Sequence, residues 1–585
     1  MNKYISVAIF LSLCYAAGAQ TFNPTVVVTN TYEGKTMEAH KKDLPMTVPD
    51  SLTHFDLTFD YSVFDHPYKG AYEFVPYAMD IRPQAMPDPN KKLFINAGAG
   101  FTMHPELDIV FSPRLKKNFQ FGVYDNLRGY WGPYVGTSFD FTDAAQGYDL
   151  VRGESFTGYD FRNQFGVDLM YDNSRTEAFL KADFRTITAS DNIESRLFNA
   201  ADFRAGLASI TKSKLDYKAG LDVTLGWDQL HSGEEYRLLT EMDIRLAGEA
   251  RYRLTSYMSA GGELGFDYVS SSSVGDFINC GAMELFATPQ LVWEFNRLYL
   301  KLGLKGAYLF TFDTKNTAEA DAALRNFTHP SGYLFPDVEF RYRLIDRNLD
   351  VFLKADGGND LGKYSSMVEG NHFLKPTYVL LNRPLMDNSI KKFDGRGGFR
   401  FGSAHLQAEV AGGYAIYDNG RIDLFYVDQF PKNSRVFGGF SYLDYDQTYV
   451  KGSLRWESAR VEASFNTKFA KTKVLTEEEF LGVLPARFVA DGAVTFNLNH
   501  RLYAGITADF SSARDAYFAT LSYPSLQRTV KIPSYLDLGA NARFDFSDSF
   551  CVWARASNLL NANVQRTIGR AYDGIYFTGG ICLNF

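Results

Sequence analysis

Nine histidines and four cysteines are the side chains of this 585-residue sequence that could carry nucleophilic, acid–base or metal chemistry. The histidines are His40, His54, His66, His104, His231, His329, His372, His405 and His500. None of them lies in a nucleophile motif or at the spacing of a zinc site, and the cysteines form no C-x-x-C pair. We therefore predict that the histidines are solvated polar residues. The chain is predicted to be neither an enzyme nor a protein that binds a metal or another cofactor.

The composition argues against two further classes of protein. The formal charge is −8, from 60 basic and 68 acidic residues, whereas a nucleic-acid-binding protein normally carries a basic surface. Beyond the N-terminus, no apolar run approaches the roughly 18 residues of a membrane helix. Phe, Tyr and Gly are nevertheless abundant, at 50, 36 and 48 residues. We expect no nucleic-acid partner and no membrane-spanning helix.

Residues 1–19 are predicted to be a secretory signal peptide. Lys3 supplies the positive charge, residues 5–13 the apolar core, and residues 17–19 the small side chains before the cleavage site. Cys14 could indicate a lipoprotein signal, but Leu13 stands where such signals have a small residue. Cleavage is therefore expected between Ala19 and Gln20.

From residue 93 to residue 585 apolar and polar residues alternate, which is the period of a half-buried β-strand. In residues 535–546, for example, Leu536, Leu538 and Ala540 share one face. Strand candidates begin near residues 93, 107, 119, 160, 176, 203, 215, 240, 257, 284, 298, 333, 349, 393, 405, 447, 460, 488, 502, 534, 550 and 574, which gives 22. Short turns alternate with long polar connections at residues 311–331, 363–391, 418–447 and 471–487. This pattern predicts an all-β fold, a large antiparallel transmembrane barrel with short periplasmic turns and long extracellular loops.

A soluble β-sandwich is the alternative to a membrane barrel. A sandwich would bury one face of each strand in a core, whereas here the second face carries charge on nearly every strand and suits a wet lumen. Aromatic residues lie beside the short turns, where a lipid interface would be. They are Tyr252, Tyr257, Trp293, Trp456, Phe544, Phe546 and Phe550. The sequence therefore predicts the outer membrane of a Gram-negative bacterium, with its lipids as partners.

Three further local features are interpreted from the sequence. Residues 424–426 and 437–445 are aromatic stretches that could bind sugars or a surface partner, although packing between loops is favoured. Residues 126–129 are read as a loop between strands. Residues 476–479 are read as a short capped helix rather than a calcium loop.

Cys551 and Cys582 are predicted to face the lumen from adjacent antiparallel strands. A cross-strand disulfide would then close the final hairpin. Two free thiols out of register are the alternative, and sequence alone leaves both open because register cannot be read to one residue.

The last 30 residues, 556–585, resemble the closing hairpin of TonB-dependent receptor barrels. The resemblance rests on the Asn558–Leu559–Leu560–Asn561 stretch, on Gly569 and Arg570 followed by Tyr572, and on the terminal Phe585. It implies a 22-stranded barrel, the number that this family uses. It also implies a plug domain of well over a hundred residues, for which residues 20–92 are too few.

Residues 20–92 are predicted to be an extended periplasmic or lumenal strap rather than a plug. Eight of the 20 prolines lie between Pro24 and Pro89, and proline interrupts both helices and sheets. TonB-coupled gating is therefore not supported by these residues.

The C-terminal strand is predicted to act as the signal for insertion by the outer-membrane assembly machinery. Counting back by twos from the terminus places Phe585, Leu583, Ile581 and Phe577 on the lipid-facing side. Recognition of a terminal aromatic strand is what the resemblance to outer-membrane barrels implies.

Two functions fit these predictions. The first is solute transport across the outer membrane, with the strap and inward-folded loops obstructing a wide pore. The second is a scaffold or accessory subunit of an outer-membrane complex, which would contact periplasmic or surface proteins. A strap inside the lumen would favour transport, and a strap extended into the periplasm would favour the scaffold.

Overall fold

The computed structural model describes residues 92–585 apart from residues 117, 144–146, 174, 192–193, 211–213, 233–234, 274–278, 314–330, 347, 375–385, 429, 476–479 and 521–522. The predicted signal peptide with its Ala19–Gln20 cleavage site, the strap and the short helix at residues 476–479 lie outside the described residues. These three stay predictions.

The described residues form one helix, α1 (Tyr364–Gly370), and 29 strands. The strands are β1 (Leu93–Phe101), β2 (Glu106–Phe111), β3 (Arg114–Lys116), β4 (Phe119–Val135), β5 (Thr137–Asp143), β6 (Gly147–Arg152), β7 (Phe156–Asp172), β8 (Thr176–Ser190), β9 (Glu194–Ser209), β10 (Leu215–Ser232), β11 (Glu235–Arg253), β12 (Met258–Ser273), β13 (Asn279–Phe295), β14 (Leu298–Asp313), β15 (Ser331–Ile345), β16 (Leu349–Asp360), β17 (Ser389–Gly402), β18 (Leu406–Asp428), β19 (Arg435–Glu457), β20 (Val461–Val474), β21 (Gly482–Val483), β22 (Phe488–Asn497), β23 (Leu502–Ser511), β24 (Arg514–Thr520), β25 (Tyr523–Ile532), β26 (Tyr535–Ser547), β27 (Phe550–Ser557), β28 (Ala571–Tyr572) and β29 (Tyr576–Asn584).

Twenty-two of these strands close an antiparallel barrel, which confirms the predicted fold and strand number. Each barrel strand pairs with the next one along the chain, and β29 pairs with β1 to complete the ring, with Ile95 opposite Leu583. The other strands, β3, β5, β6, β21, β24, β25 and β28, lie in connections between barrel strands. Every predicted strand position falls inside an observed barrel strand or within two residues of its start.

The two ends of the barrel lie at the rim that carries the short turns. The Leu93 amide donates to the Phe585 carbonyl over 2.9 Å, and the Phe585 amide donates back to the Leu93 carbonyl over 2.8 Å. Short turns such as residues 296–297 and 403–405 join strands at this rim. An even number of strands requires both ends on one side, and in outer-membrane barrels the side of the short turns is periplasmic.

Large apolar side chains form an exposed belt around the barrel. Leu264, Leu334 and Leu353, for example, are 68%, 72% and 57% exposed. Such a belt is unfavourable in water but suits lipid, and barrel closure pairs the backbone groups that a bilayer cannot hydrate. The chain is therefore a transmembrane barrel of the Gram-negative outer membrane. Among the described residues, no helix has the length and apolar character needed to cross a membrane.

Two predicted loops are wrong. Residues 418–447 form the upper halves of β18 and β19, each 23 residues long, rather than a long connection. The Asp418–Asn419–Gly420 sequence is typical of a turn, but here Asn419 has a φ of 53° and the pairing register shifts between Tyr417 and Gly420. The turn signal thus marks a bulge at which the hairpin continues. Residues 126–129 likewise belong to β4, paired with β7.

The extended hairpin of β18 and β19 joins the extracellular strands in a cap over the barrel. β24 pairs in parallel with β18, and β25 pairs in parallel with β6. The Phe518 ring lies 5.1 Å from the rings of both Phe139 and Phe425. Residues 424–426 are almost fully buried, so the favoured reading, that these aromatics pack loops together, is confirmed.

Candidate functional site

The described parts of the connection between β16 and β17 fold into the barrel. We call these parts, residues 361–374 and 386–388, the internal loop. Helix α1 lies in it, with Tyr364 and Met367 fully buried against Ile187 of β8 and Phe198 of β9. These wall residues are buried although they belong to barrel strands, so the internal loop occupies space that the lumen would otherwise leave to water.

The N-terminus of α1 is held by a carboxylate of the barrel wall. Lys363 precedes the helix with extended backbone angles, and its own side chain does not cap it. Instead, Glu241 of β11 accepts hydrogen bonds from the backbone amides of Tyr364 and of Ser365, the latter at 3.1 Å. A carboxylate at this position satisfies amides that the helix leaves unpaired and interacts favourably with the helix dipole.

A buried ion pair continues this contact. Arg196 of β9 lies 3.0 Å from Asp228 of β10, with their side chains 3% and 0% exposed. The Tyr364 hydroxyl donates to the same Asp228 carboxylate, and Arg196 donates to the His372 carbonyl over 2.7 Å. Arg196 also donates to the Leu374 carbonyl. The Arg196–Asp228 pair therefore fixes both the start of α1 and the residues that follow it.

Lys363 shows how deep the internal loop reaches. Its Nζ lies 2.7 Å from Asp243 and 3.6 Å from Asp267, on β11 and β12. The neighbour of Asp243, Met242, is 39% exposed on the outer face. Because successive strand residues point to opposite faces, Asp243 faces the lumen at the height of the apolar belt. Burial lowers the pKa of Lys363, but the Asp267 and Asp243 carboxylates outweigh it and the pKa lies above its ordinary value.

The far end of α1 binds the neighbouring wall. Glu369 pairs with Arg185 of β8 and lies 3.8 Å from Arg162 of β7. The ring of His372 lies 2.6 Å from the Asp160 carboxylate. Together with the preceding contacts, these attach the internal loop to β7, β8, β9, β10, β11 and β12.

The prediction that the histidines are solvated is wrong for two of them. His372 is held in the lumen by Asp160, and its side chain is only 13% exposed. His104, between β1 and β2, is 7% exposed and stacks on Tyr576 at 4.3 Å between ring centroids. Burial lowers the pKa of His104 to about 4, against a hydrogen bond to the Thr102 carbonyl, which raises it, and Arg555, which lowers it further. Both histidines lie in connections that fold inward, which local polarity does not reveal.

The connection between β27 and β29 crosses the mouth of the barrel. On one side of the mouth, Arg566 of this connection lies 2.7 Å from Asp509 of β23 and 2.9 Å from Asp537 of β26. Further along, β28 pairs with the end of β4. Arg570 then bonds to Asp191 at the turn between β8 and β9. This segment contains Gly569, Arg570 and Tyr572, on which the resemblance to TonB-dependent receptor barrels partly rests. Those residues therefore lie across the barrel mouth.

Asn558 begins this crossing with a turn. Its φ is 51°, a conformation that Asn tolerates well. Its side-chain amide donates to the Ala562 and Gly574 carbonyls, each over 3.0 Å, and its oxygen accepts from the Ala562 amide at 2.8 Å. The Asn in this motif therefore closes the loop on itself.

Cys551 and Cys582 lie opposite each other in register on β27 and β29. Their Cα atoms are 5.0 Å apart, which suits a disulfide, and the structure joins their sulfurs. Formation of this bond in the purified protein stays a prediction. On the same strand, Phe577, Ile581 and Phe585 are exposed and Leu583 is half-buried, all on the outer face. Their role in insertion also stays a prediction.

The part of the chain that the structure describes contains no group of three or more His, Cys, Asp or Glu side chains placed to hold a metal ion. The acidic residues around the internal loop are instead engaged with Lys363, Arg196 and the α1 amides. Chemically, this arrangement can hold an inserted segment in place and present charged groups to the lumen.

Comparison with known proteins identifies the fold. No protein-family model and no curated protein matches the sequence. Solved structures do match, among them the siderophore receptor PirA from Acinetobacter baumannii, 10% identical with a TM-score of 0.57 over 85% of this chain and 80% of that chain. The copper transporter OprC is 12% identical with a TM-score of 0.56 over the same shares. Pseudomonas aeruginosa FpvA bound to heterologous pyoverdines is 12% identical with a TM-score of 0.59, covering 85% of this chain and 72% of that chain.

These likenesses establish the class of fold. The chain has the 22-stranded barrel of outer-membrane receptors, so the resemblance to TonB-dependent receptor barrels is confirmed at the level of fold. The expected lack of a plug concerns residues outside the described part of the chain and stays a prediction. The matched proteins are receptors and a transporter, and the expectation that this chain is not an enzyme stays a prediction.

Proposed function

We propose that this chain moves a solute across the outer membrane and that the internal loop must be displaced before the solute passes. The observation that carries the proposal is the insertion of α1 into the lumen by specific polar contacts. A barrel of this width with an empty lumen would leave the membrane permeable. Proteins named for siderophores and copper have the same fold, which supports a transport role without indicating the solute.

The kind of contact supports a movable obstruction. The internal loop bonds to the wall mainly through the side chains of Glu241, Asp228, Asp243 and Arg185. Its backbone pairing within the described residues is a single bridge from Leu374 to Gly438 of β19. Side-chain contacts of this kind can exchange for water or for a charged solute without breaking the sheet. Residues 20–92 are proposed to obstruct the lumen together with the internal loop, as the sequence predicts.

The test is ion conductance of the purified chain in planar lipid bilayers. Four proteins are compared: the full chain, a variant lacking residues 363–388 with a Gly-Ser linker, a variant lacking residues 20–92, and the double deletion. We expect low conductance in the full chain, a rise in each single deletion and the largest rise in the double deletion. Equal conductance in all four proteins would contradict the proposal and favour the scaffold function.

A matched control separates loss of the obstruction from damage to the barrel. Arg297 and Asp346 form an exposed ion pair of 2.7 Å at the periplasmic rim, away from the internal loop. The Arg297→Gln and Asp346→Asn double variant should keep the conductance of the full chain. Heat-modifiable mobility on gels checks that each variant forms a closed barrel.

A further inference from the structure

Two lysines lie directly opposite each other on the lumen wall. Lys451 of β19 pairs in register with Lys468 of β20. Their neighbours Val450 and Phe469 are 48% and 53% exposed on the outer face, so both lysines point into the lumen. Like charges directly opposite on antiparallel strands are destabilising. The repulsion between the two ammonium groups is therefore locally destabilising unless an anion lies beside them.

No carboxylate within the described residues forms an ion pair with either lysine. The ammonium groups instead converge on one ring, since Lys451 Nζ lies 5.0 Å and Lys468 Nζ 5.9 Å from the centroid of Tyr449. Lys468 also donates to the Gln447 side-chain oxygen over 3.1 Å. These contacts orient the two ammonium groups without neutralising them.

Asp394, the carboxylate that bonds to Tyr449, is also engaged with other cations. Asp394 accepts a hydrogen bond from the Tyr449 hydroxyl and lies 3.6 Å from Arg396 and 3.8 Å from Lys391. Its charge is thus shared with two other cations of β17. The positive charge of Lys451 and Lys468 remains available to the lumen.

The residues opposite the two lysines on the neighbouring strands have short side chains. Ala411 lies opposite Lys451, and Val489 lies opposite Lys468, so no long side chain covers the pair from either neighbouring strand. The Tyr449 ring packs on Gly413, where an added Cβ would lie 2.5 Å from the ring. Lys451 itself is exposed to the lumen.

We propose that Lys451, Lys468 and Tyr449 form a binding site for a small multivalent anion, such as phosphate or a polycarboxylate. An anion bridging both ammonium groups would form charge-assisted hydrogen bonds to each and remove their repulsion. The inference rests on the proposed function in one respect. If the chain moves a solute through the lumen, this site indicates that the solute is an anionic compound.

The test is isothermal titration calorimetry of the full purified chain in detergent, with inorganic phosphate and citrate as probes. We expect the wild-type chain to bind at least one probe. The Lys451→Gln and Lys468→Gln double variant should bind it at least about tenfold more weakly, equivalent to about 1.4 kcal/mol. The Lys451→Arg and Lys468→Arg double variant keeps both charges and should retain binding within that factor.

A control variant removes one lysine charge elsewhere on the wall. Lys301 of β14 lies 2.7 Å from Asp337, so Lys301→Gln removes a cation that is already neutralised and should leave binding unchanged. Equal binding by the wild-type chain and the Gln double variant overturns the inference, as does failure of the wild-type chain to bind either probe. Because binding is measured without transport, either result leaves the deletion experiment on conductance to be judged separately.

Discussion

The substitution Glu241→Gln tests the attachment of the internal loop at its most specific point. Glu241 is 4% exposed and accepts from the Tyr364 and Ser365 amides and from the Ser271 hydroxyl. Glutamine has the same shape and keeps one acceptor oxygen, so the cavity is unchanged. The substitution removes the charge that the α1 N-terminus and nearby Lys363 interact with.

The expected magnitude follows from these contacts. Hydrogen bonds to a charged group contribute about 1.5–3 kcal/mol each, and neutral ones about 1 kcal/mol. Because glutamine still accepts one bond, we expect the docked loop to be weakened by about 1.5–3 kcal/mol. This corresponds to a rise of roughly 10- to 150-fold in the ratio of released to docked loop.

Hydrogen exchange measures this ratio directly. The backbone amides of Tyr364 and Ser365 are bonded only while the loop is docked, so their exchange rates report release. Exchange followed by mass spectrometry should show these amides exchanging roughly 10- to 150-fold faster in Glu241→Gln than in the wild-type chain. The open probability in planar bilayers should rise with it.

The control lies on the same strand. Glu249 faces the lumen eight residues further along β11 and bonds to Arg251 and Gln290 rather than to the internal loop. Glu249→Gln should therefore leave exchange at Tyr364 and Ser365 unchanged. Wild-type exchange rates at these two amides in Glu241→Gln would refute the assignment of Glu241 as the anchor of α1.

Three further predictions concern other parts of the barrel. The pKa of His104 is about 4 in the folded chain, below its ordinary 6.5, so the unfolded chain binds the proton first as the pH falls. The free energy of unfolding should therefore drop by about 3 kcal/mol between pH 6.5 and pH 4. Urea unfolding at both pH values should show a smaller loss in His104→Gln, and an equal loss would contradict it. Mass spectrometry of protein purified without reductant should find Cys551 and Cys582 joined, whereas two free thiols would exclude the disulfide. Removing the Phe585 ring with Phe585→Ala should lower the fraction of heat-modifiable barrel in outer membranes, and an unchanged fraction would argue against an insertion signal.

Much of the fold could be predicted because a strand in a membrane barrel must alternate. One face of β26 or β29 contacts lipid and the other contacts water at every residue. The alternation of apolar and polar residues, and from it the number of strands, can therefore be read from short stretches of sequence. The predictions failed where a short stretch of sequence is compatible with two structures. Asn419 with its Asp and Gly neighbours is typical of both a turn and a bulge, and only the pairing of β18 with β19 decides between them.

The internal loop could not be predicted in the same way. Periodicity assigns Glu241 and Asp228 to the lumenal face, but it gives no indication of which of the many lumenal charges meets a loop from another strand. One signal was present in the sequence. Met367 and Val368 are adjacent apolar residues in a connection expected to be polar, and both are fully buried in the lumen. This apolar pair in a long connection was the local indication that the segment folds inward.

The chemistry of the internal loop explains how an obstruction can be both well defined and removable. A segment held only by apolar burial would slide with little change in energy, because that attraction has no direction. The bonds from Arg196 to His372, from Tyr364 to Asp228 and from Ser365 to Glu241 fix one position, since a shift of the loop would leave these buried polar groups without their partners. The ion pairs between loop and wall, such as Lys363 with Asp243, nevertheless add little net stability, because their attraction mainly offsets the desolvation of both charges. The docked loop is therefore specific in geometry but modest in free energy, and a charged solute that competes for these groups could displace it.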